Sequence, residues 1–148
     1  MKIQDRIFLK TNEEDLPMLT AVADAVDVSK YKDLKDIKSQ MFNIMRESKG
    51  IGLAAPQVGL SVRMFVMTTK NGEDLLMVNP VFKKKSSFIK KSKEGCLSVP
   101  DKQVTVNRSM QVVVDYYDEN LEWKSIRLNG IDAYCAQHEM DHLNGVIL

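Results

Sequence analysis

Cysteine is scarce in this chain of 148 residues: Cys96 and Cys135 are the only two. A pair of thiols cannot supply the disulfide framework of a small secreted domain, and in a reducing compartment both are expected as free thiols or metal ligands. Long apolar runs are missing too. No window approaches the roughly 18 residues of a membrane span, and the first residues, Met1-Lys2-Ile3-Gln4-Asp5-Arg6, interleave charge with apolar side chains instead of building the core of a secretion signal. Asn107-Arg108-Ser109 has the spacing of a glycosylation acceptor, but without a secretory context it carries no weight. Nor is there an excess of charge of one sign: 21 Lys and Arg face 20 Asp and Glu, a formal charge of +1. That balance gives no general pull toward DNA, RNA or an anionic membrane. A soluble, intracellular protein is expected.

What is present suits a packed domain. With 44% hydrophobic and 28% charged residues the chain is neither disordered nor fibrous, and residues 1–148 are expected to form a single domain that buries roughly two-thirds of its unfolded surface. No repeat and no Pro-, Gly- or Ser-rich linker interrupts it. Leu34, Ile37, Met41, Ile44 and Met45 recur at helical spacing, predicting an amphipathic helix over 33–45 that ends at Gly50 in a left-handed cap. Val62–Met67 reads as a strand, Asn71-Gly72 as a tight turn, and Leu75–Val78 as a strand stopped by Asn79-Pro80. Val104–Val106, Met110–Tyr117 and Leu121–Leu128 supply more β sequence, and Ile131–Leu143 returns to helical spacing. Helix, then strands, then helix predicts an α+β fold: antiparallel β strands packed around a C-terminal helix, with an N-terminal amphipathic helix. The lysine-rich run 83–93 reads as a solvated loop or lysine-protected edge strand rather than an RNA-facing patch, and the nine methionines as adaptable core filler.

Histidine is as scarce as cysteine. Both histidines lie in the stretch QHEMDH, as His138 and His142. Four residues along a helix turn through about 400°, so both rings leave one face a turn apart and can reach a single ion. Glu139 projects about 100° further round, where it would meet water at the ion rather than the ion itself. A catalytic metal usually takes three protein ligands. Cys135 shares the helical face but stands about 10 Å from His142 along the axis, so it reads as a small buried residue. Cys96, in EGCLS (94–98), is the better third ligand. A solvated helix turn remains the alternative for QHEMDH taken alone, and a buried thiol for Cys96. GIGLAAPQ (50–57) satisfies a dinucleotide-binding pattern through Gly50, Gly52 and Ala55, but a helix precedes it and Pro56 follows, the wrong context. It reads as backbone passing close to a ligand, with Gln57 supplying an amide, or as a simple glycine turn.

With GIGLAAPQ, EGCLS and QHEMDH in this order and spacing, the chain resembles the peptide deformylase family over most of its length. The resemblance implies a hydrolase that removes the formyl group from N-formylmethionine at the start of nascent polypeptides. It implies metal binding by Cys96, His138 and His142, a general base at Glu139, and stabilisation of the reacting oxygen by Gln57 and the Leu97 backbone. Ile51 and Gly52 would lie along the bound peptide. The helical face, taken with the resemblance, points to Ile131, Tyr134 and Cys135 opposite Leu97 as the methionine pocket. The implied cofactor is one divalent ion, expected to be Fe2+, with Zn2+, Ni2+ or Co2+ as alternatives the same ligands accept. The expected partners are N-formylmethionyl nascent peptides and the ribosome near its exit tunnel, with no membrane, no specific DNA and a monomeric state. The expected place is a bacterial cytoplasm, or a host cytoplasm if phage-encoded, with an organelle as the alternative. Two departures stand out. Seven residues after Cys96, where many members have an arginine that holds the peptide, this chain has Gln103, and Arg108 is expected to take over part of that grip. The chain also stops six residues after His142, a short end like that of organelle-type or phage-encoded members. Two rivals stay open: a zinc peptidase using the same helix motif, and a non-catalytic module stabilised by a metal or a polar helix.

Overall fold

The computed structural model describes residues 2–148. In chain order the elements are α1 (Leu16–Thr20), α2 (Leu34–Glu47), β1 (Gly52–Ala54), a 3-10 turn (Ala55–Val58), β2 (Met64–Thr68), β3 (Asp74–Lys85), β4 (Ile89–Cys96), β5 (Val99–Ser109), β6 (Gln111–Tyr117), β7 (Trp123–Asn129) and α3 (Ile131–Leu143). One antiparallel sheet runs β1-β2-β3-β6-β7, and β4 and β5 form a separate two-stranded ribbon. This is the expected α+β architecture.

The apolar run that predicts β2 belongs to a strand covered on both faces. Met64 and Val66 point into a core shared with α2, while Phe65 and Met67 point into a second core shared with α3, as the two-residue period of a strand requires. Neighbouring β3 repeats the pattern, Leu76 and Val78 on the α2 side and Met77 on the α3 side. The sheet is therefore sandwiched between two helices. α2 docks through Leu34, Ile37, Met41, Phe42 and Met45, all buried, with Ile44 packed partly against the same core. At about 1.5–3 kcal/mol for each large apolar side chain removed from water, this face rather than helix propensity holds α2 in place.

Three expectations are corrected or narrowed. β3 does not stop at Asn79-Pro80 but continues to Lys85, its ladder with β6 shifting register between Val78 and Val81 and again between Phe82 and Lys84. Pro80 has no N–H to give, and the bulge places it where none is needed. Asn79, at φ 51, instead bonds the Val26 backbone with both ends of its amide, at 2.8 Å each. Of the two readings of the lysine-rich run, the loop is set aside and the edge strand stands: Lys83–Lys85 end β3, and Lys90, Lys91 and Lys93 lie exposed on β4 of the two-stranded ribbon. Finally, the left-handed residue after α2 is Lys49, at φ 60, and not Gly50. A Cβ at Gly50 would stand 2.7 Å from Leu97 Cδ1, so a larger residue there would make the Leu97 side chain shift.

Candidate functional site

α3 is buried on more than one face. Ala133, Cys135, Ala136 and Met140 pack into the core, while Gln137, Glu139 and His142 are buried although polar. Gln137 explains how the helix is held: its Oε1 accepts from the Ser109 N–H at 2.9 Å and its Nε2 donates to the Ser109 carbonyl at 2.8 Å, pinning α3 to the end of β5. The ribbon thereby brings Cys96, the last residue of β4, to the two histidines. Cys96 Sγ lies 3.3 Å from His142 Nε2, and ligand atoms of Cys96, His138 and His142 all fall within 4.8 Å of one another. The structure thus brings together the three residues expected as ligands. Thiolate with two imidazoles is a donor set for Zn2+ or another borderline divalent ion.

Behind the ligands sits a charged network. His138 Nδ1 is 3.0 Å from Glu94 Oε1. Glu94 in turn takes a two-pronged bond from Arg108, Nε at 3.0 Å and Nη2 at 2.7 Å, and Arg108 Nη1 reaches Asp141 at 2.6 Å. Burial resists ionisation of Glu94, yet the bonds from His138 and Arg108 bring it down to about 2. Burial likewise opposes charge on His138, but the Cys96 sulfur and Glu94 outweigh it and raise the ring to about 10. His142, pushed down to about 3 by burial and by the positive charge of His138 and Arg108, stays neutral. Binding a divalent ion at these donors would release the proton that Glu94 and the Cys96 sulfur favour on His138. The fit to an ion is good.

Glu139 is outside the grouped donors, and its carboxyl lies at Gly52 on the same cleft. Burial pushes its carboxyl up to about 7, and its Oε1 is buried without a hydrogen-bond partner among the described residues. Its other oxygen would touch a Cβ at Gly52 at 2.5 Å, with Cys135 Sγ at 2.9 Å. So the second glycine of GIGLAAPQ makes room for the catalytic-type carboxylate of α3. At the end of the same motif the Gln57 Oε1 accepts from the Ala54 N–H at 2.9 Å, which fixes its amide to donate toward Ser98 Oγ at 3.1 Å and Cys96 Sγ at 3.8 Å.

These groups open on a cleft of about 1150 Å³. Its lining includes Ile51, Gly52, Gln57, Cys96, Leu97, Ile131, Tyr134, Cys135, His138 and Glu139, so every residue singled out for the site except the fully buried His142 faces it. Cys135, its thiol pushed well up by burial, lines the wall near the Ile51 carbonyl. Arg108 does not take over a grip on peptide: it is 6% exposed and spent on Glu94 and Asp141. Gln103 is at the cleft. Sequence reasoning missed Glu94, Asp141 and Ser98. Glu94 carried a signal, since two residues before Cys96 on a strand puts it on the same face; Arg108, a lone arginine far along the chain, carried none.

The polypeptide deformylase family model matches residues 8–148. The chain is 39% identical over 121 residues to a peptide deformylase of Karelsulcia muelleri, covering 78% of this chain and 63% of that relative's own length, just under two-thirds. To the peptide deformylase of Brucella suis it is 40% identical over 136 residues, 88% of this chain and 77% of that one. The fold superposes on a class I type b peptide deformylase from Acinetobacter baumannii with a TM-score of 0.89 at 31% identity, over 99% of this chain and 97% of the other.

Proposed function

The chain belongs to the polypeptide deformylase family, and from that premise we propose that it is a metal-dependent hydrolase that takes the formyl group off N-formylmethionine at the start of nascent polypeptides and releases formate. Residues 1–148 act as one catalytic domain in this reading. The observation that carries it is the convergence of Cys96, His138 and His142 within 4.8 Å, with the buried carboxylate of Glu139 beside them at Gly52.

Cys96 Sγ and one ring nitrogen from each histidine would hold a divalent ion, which when bound would supply Lewis acidity and a more acidic water near neutral pH. Glu139 takes the proton from the attacking water. Its burial favours this role, because a carboxyl near neutrality both accepts a proton and gives it up again, here to the departing amine nitrogen. Gln57 and the Leu97 N–H at the tip of the β4–β5 hairpin donate to the oxygen on which negative charge grows; one such donor is worth roughly 3 kcal/mol. Ile131, Tyr134 and Cys135, with Leu97 opposite, receive the methionine side chain, and the β1 edge at Ile51 and Gly52 lies along the peptide backbone. Glu94 fixes the tautomer and ring plane of His138, and Arg108 holds Glu94.

The physiological ion is Fe2+ in this reading, and the working form is a cytoplasmic monomer that meets its substrate near the ribosome exit. Equal rates with Fe2+, Zn2+, Ni2+ and Co2+ would count against a tuned site. The function is tested by incubating the metal-loaded protein with formyl-Met-Ala-Ser, acetyl-Met-Ala-Ser and free Met-Ala-Ser. Formate from the first peptide only, with all peptide bonds intact by mass spectrometry, is the expected result. Cleavage of a backbone amide in any of them would make the site a peptidase.

A further inference from the structure

The outer end of the cleft carries a charge pattern that the deformylation chemistry does not use. Lys49, Lys93 and Lys102 line it and are exposed, and none of the three enters a salt bridge among the described residues. Of the acidic residues lining the cleft, Glu94 is neutralised by Arg108 and Glu139, on α3, is buried at Gly52. Only Asp101 is exposed there. The rim is therefore net positive on a chain whose overall charge is +1.

Backbone features put these residues where they are. Lys49 and Asp101 both adopt left-handed conformations, at φ 60 and 66, a costly choice for side chains with a Cβ. Opposite them the ribbon register jumps from Gly95↔Gln103 to Cys96↔Val99, leaving Pro100, Asp101 and Lys102 without partners across the ladder. Bulges of this kind re-aim side chains beside active sites. Position along the cleft is bounded by chain reach. Lys49 precedes Gly52 by three residues, and Lys93 on β4 precedes Cys96 by three. At no more than about 3.3–3.6 Å per residue, the Lys49 and Lys93 backbones lie within about 11 Å of Gly52 and Cys96 on the inner wall. A substrate in extended form, its formyl group at the metal ligands and its methionine in the pocket, brings its second or third side chain to that distance.

Resting on the deformylase reading above, we infer that this rim is a charge-selective subsite: it favours formylated peptides with an acidic side chain at the second or third residue and disfavours basic ones. The partner atoms are substrate carboxylate oxygens accepting from the lysine ammonium groups.

The test is kcat/KM for formate release from formyl-Met-Ala-Glu-amide, formyl-Met-Ala-Gln-amide and formyl-Met-Ala-Lys-amide. Amidation removes the terminal carboxylate as a second source of the same charge; formyl-Met-Ala-Gln with a free carboxyl end measures that source alone. The Glu peptide is expected to exceed the Lys peptide by about three- to tenfold at low ionic strength, through KM, with the ratio shrinking as salt is added. Lys93→Glu and Lys102→Glu should each lower or invert the ratio, and Lys93→Arg should keep it. Lys35→Glu, on α2 and outside the cleft, makes the same change in net charge and should leave the ratio as it is. Equal rates for the three amides, a preference for the Lys peptide, or a Lys35→Glu effect as large as that at the rim would overturn the inference. Formate from none of the peptides would overturn the deformylase reading and the subsite with it.

Discussion

Glu139 and His142 on α3 are 3% and 1% exposed, and His138, Glu94, Arg108 and Asp141 are tied to one another by bonds of 2.6–3.0 Å. A few residues further along the same cleft Lys49, Lys93 and Lys102 are exposed and unpaired among the described residues. The inner wall places each donor through several neighbours at once, as chemistry that tolerates little misplacement requires. The outer rim is held by backbone conformation alone and leaves its side chains free. Changes at the inner wall should therefore act on metal and turnover together, and changes at the rim on substrate choice with little else altered.

The comparison breaks most sharply at a ligand. His142→Ala should abolish stoichiometric metal and cut formate release by roughly a thousandfold or more, since Lewis acidity and nucleophile are lost together; metal content by atomic emission, read beside activity, checks it. Glu139→Gln should retain the ion and lower kcat by about 10²–10⁴. Because burial raises the Glu139 carboxyl to about 7 and a bound cation pulls it back down, the acid limb of kcat/KM in the unmodified protein should fall below pH 7. A limb above that value would contradict the base assignment.

One shell further out, Arg108→Met leaves Glu94 buried without its cation and takes the partly exposed Asp141's partner away. The expected outcome is a metal affinity about 10–100-fold weaker, measured by competition with a chelator, and only partial recovery in Arg108→Lys, which cannot make the two-pronged bond. The Glu94 carboxyl is held at about 2 against an ordinary 4.5. A depressed acid adds stability that is full above the unfolded value and is lost as pH falls through the folded one, so this contribution should fade between about pH 5 and 2. Arg108→Met should flatten that loss in acid unfolding curves. The smallest effect belongs to the rim. Lys49→Gly relieves a left-handed residue and should raise stability by up to about 1 kcal/mol, read as a denaturation midpoint, while the preference for acidic peptides weakens.

Much of this was readable before any coordinates. The 131–143 stretch, helically spaced and poor in β-branched residues, predicts α3 with its observed bounds although the helix is buried on more than one face, and the separation of about 10 Å between Cys135 and His142 along a helix pointed to Cys96, the residue that lies 3.3 Å from His142. What escaped depends on contacts between distant segments. β3 runs through Asn79-Pro80 only because β6 accepts a bulge there, and Arg108 meets Glu94 through the pairing of β4 with β5 and Asp141 through the pinning of α3 to the end of β5 by Gln137. The left-handed turn at Lys49 escaped for a different reason: glycine is the usual left-handed residue after a helix, and here the turn falls on Lys49, one position before the glycine.

The most direct test strips the protein of metal with a chelator under anaerobic conditions and restores one divalent ion in measured steps while formate release from formyl-Met-Ala-Ser is followed. The account predicts no turnover without metal, a linear rise that stops at one ion per chain, and no rise in Cys96→Ser. Full activity in the metal-free protein, or one bound ion per chain without formate, would contradict it.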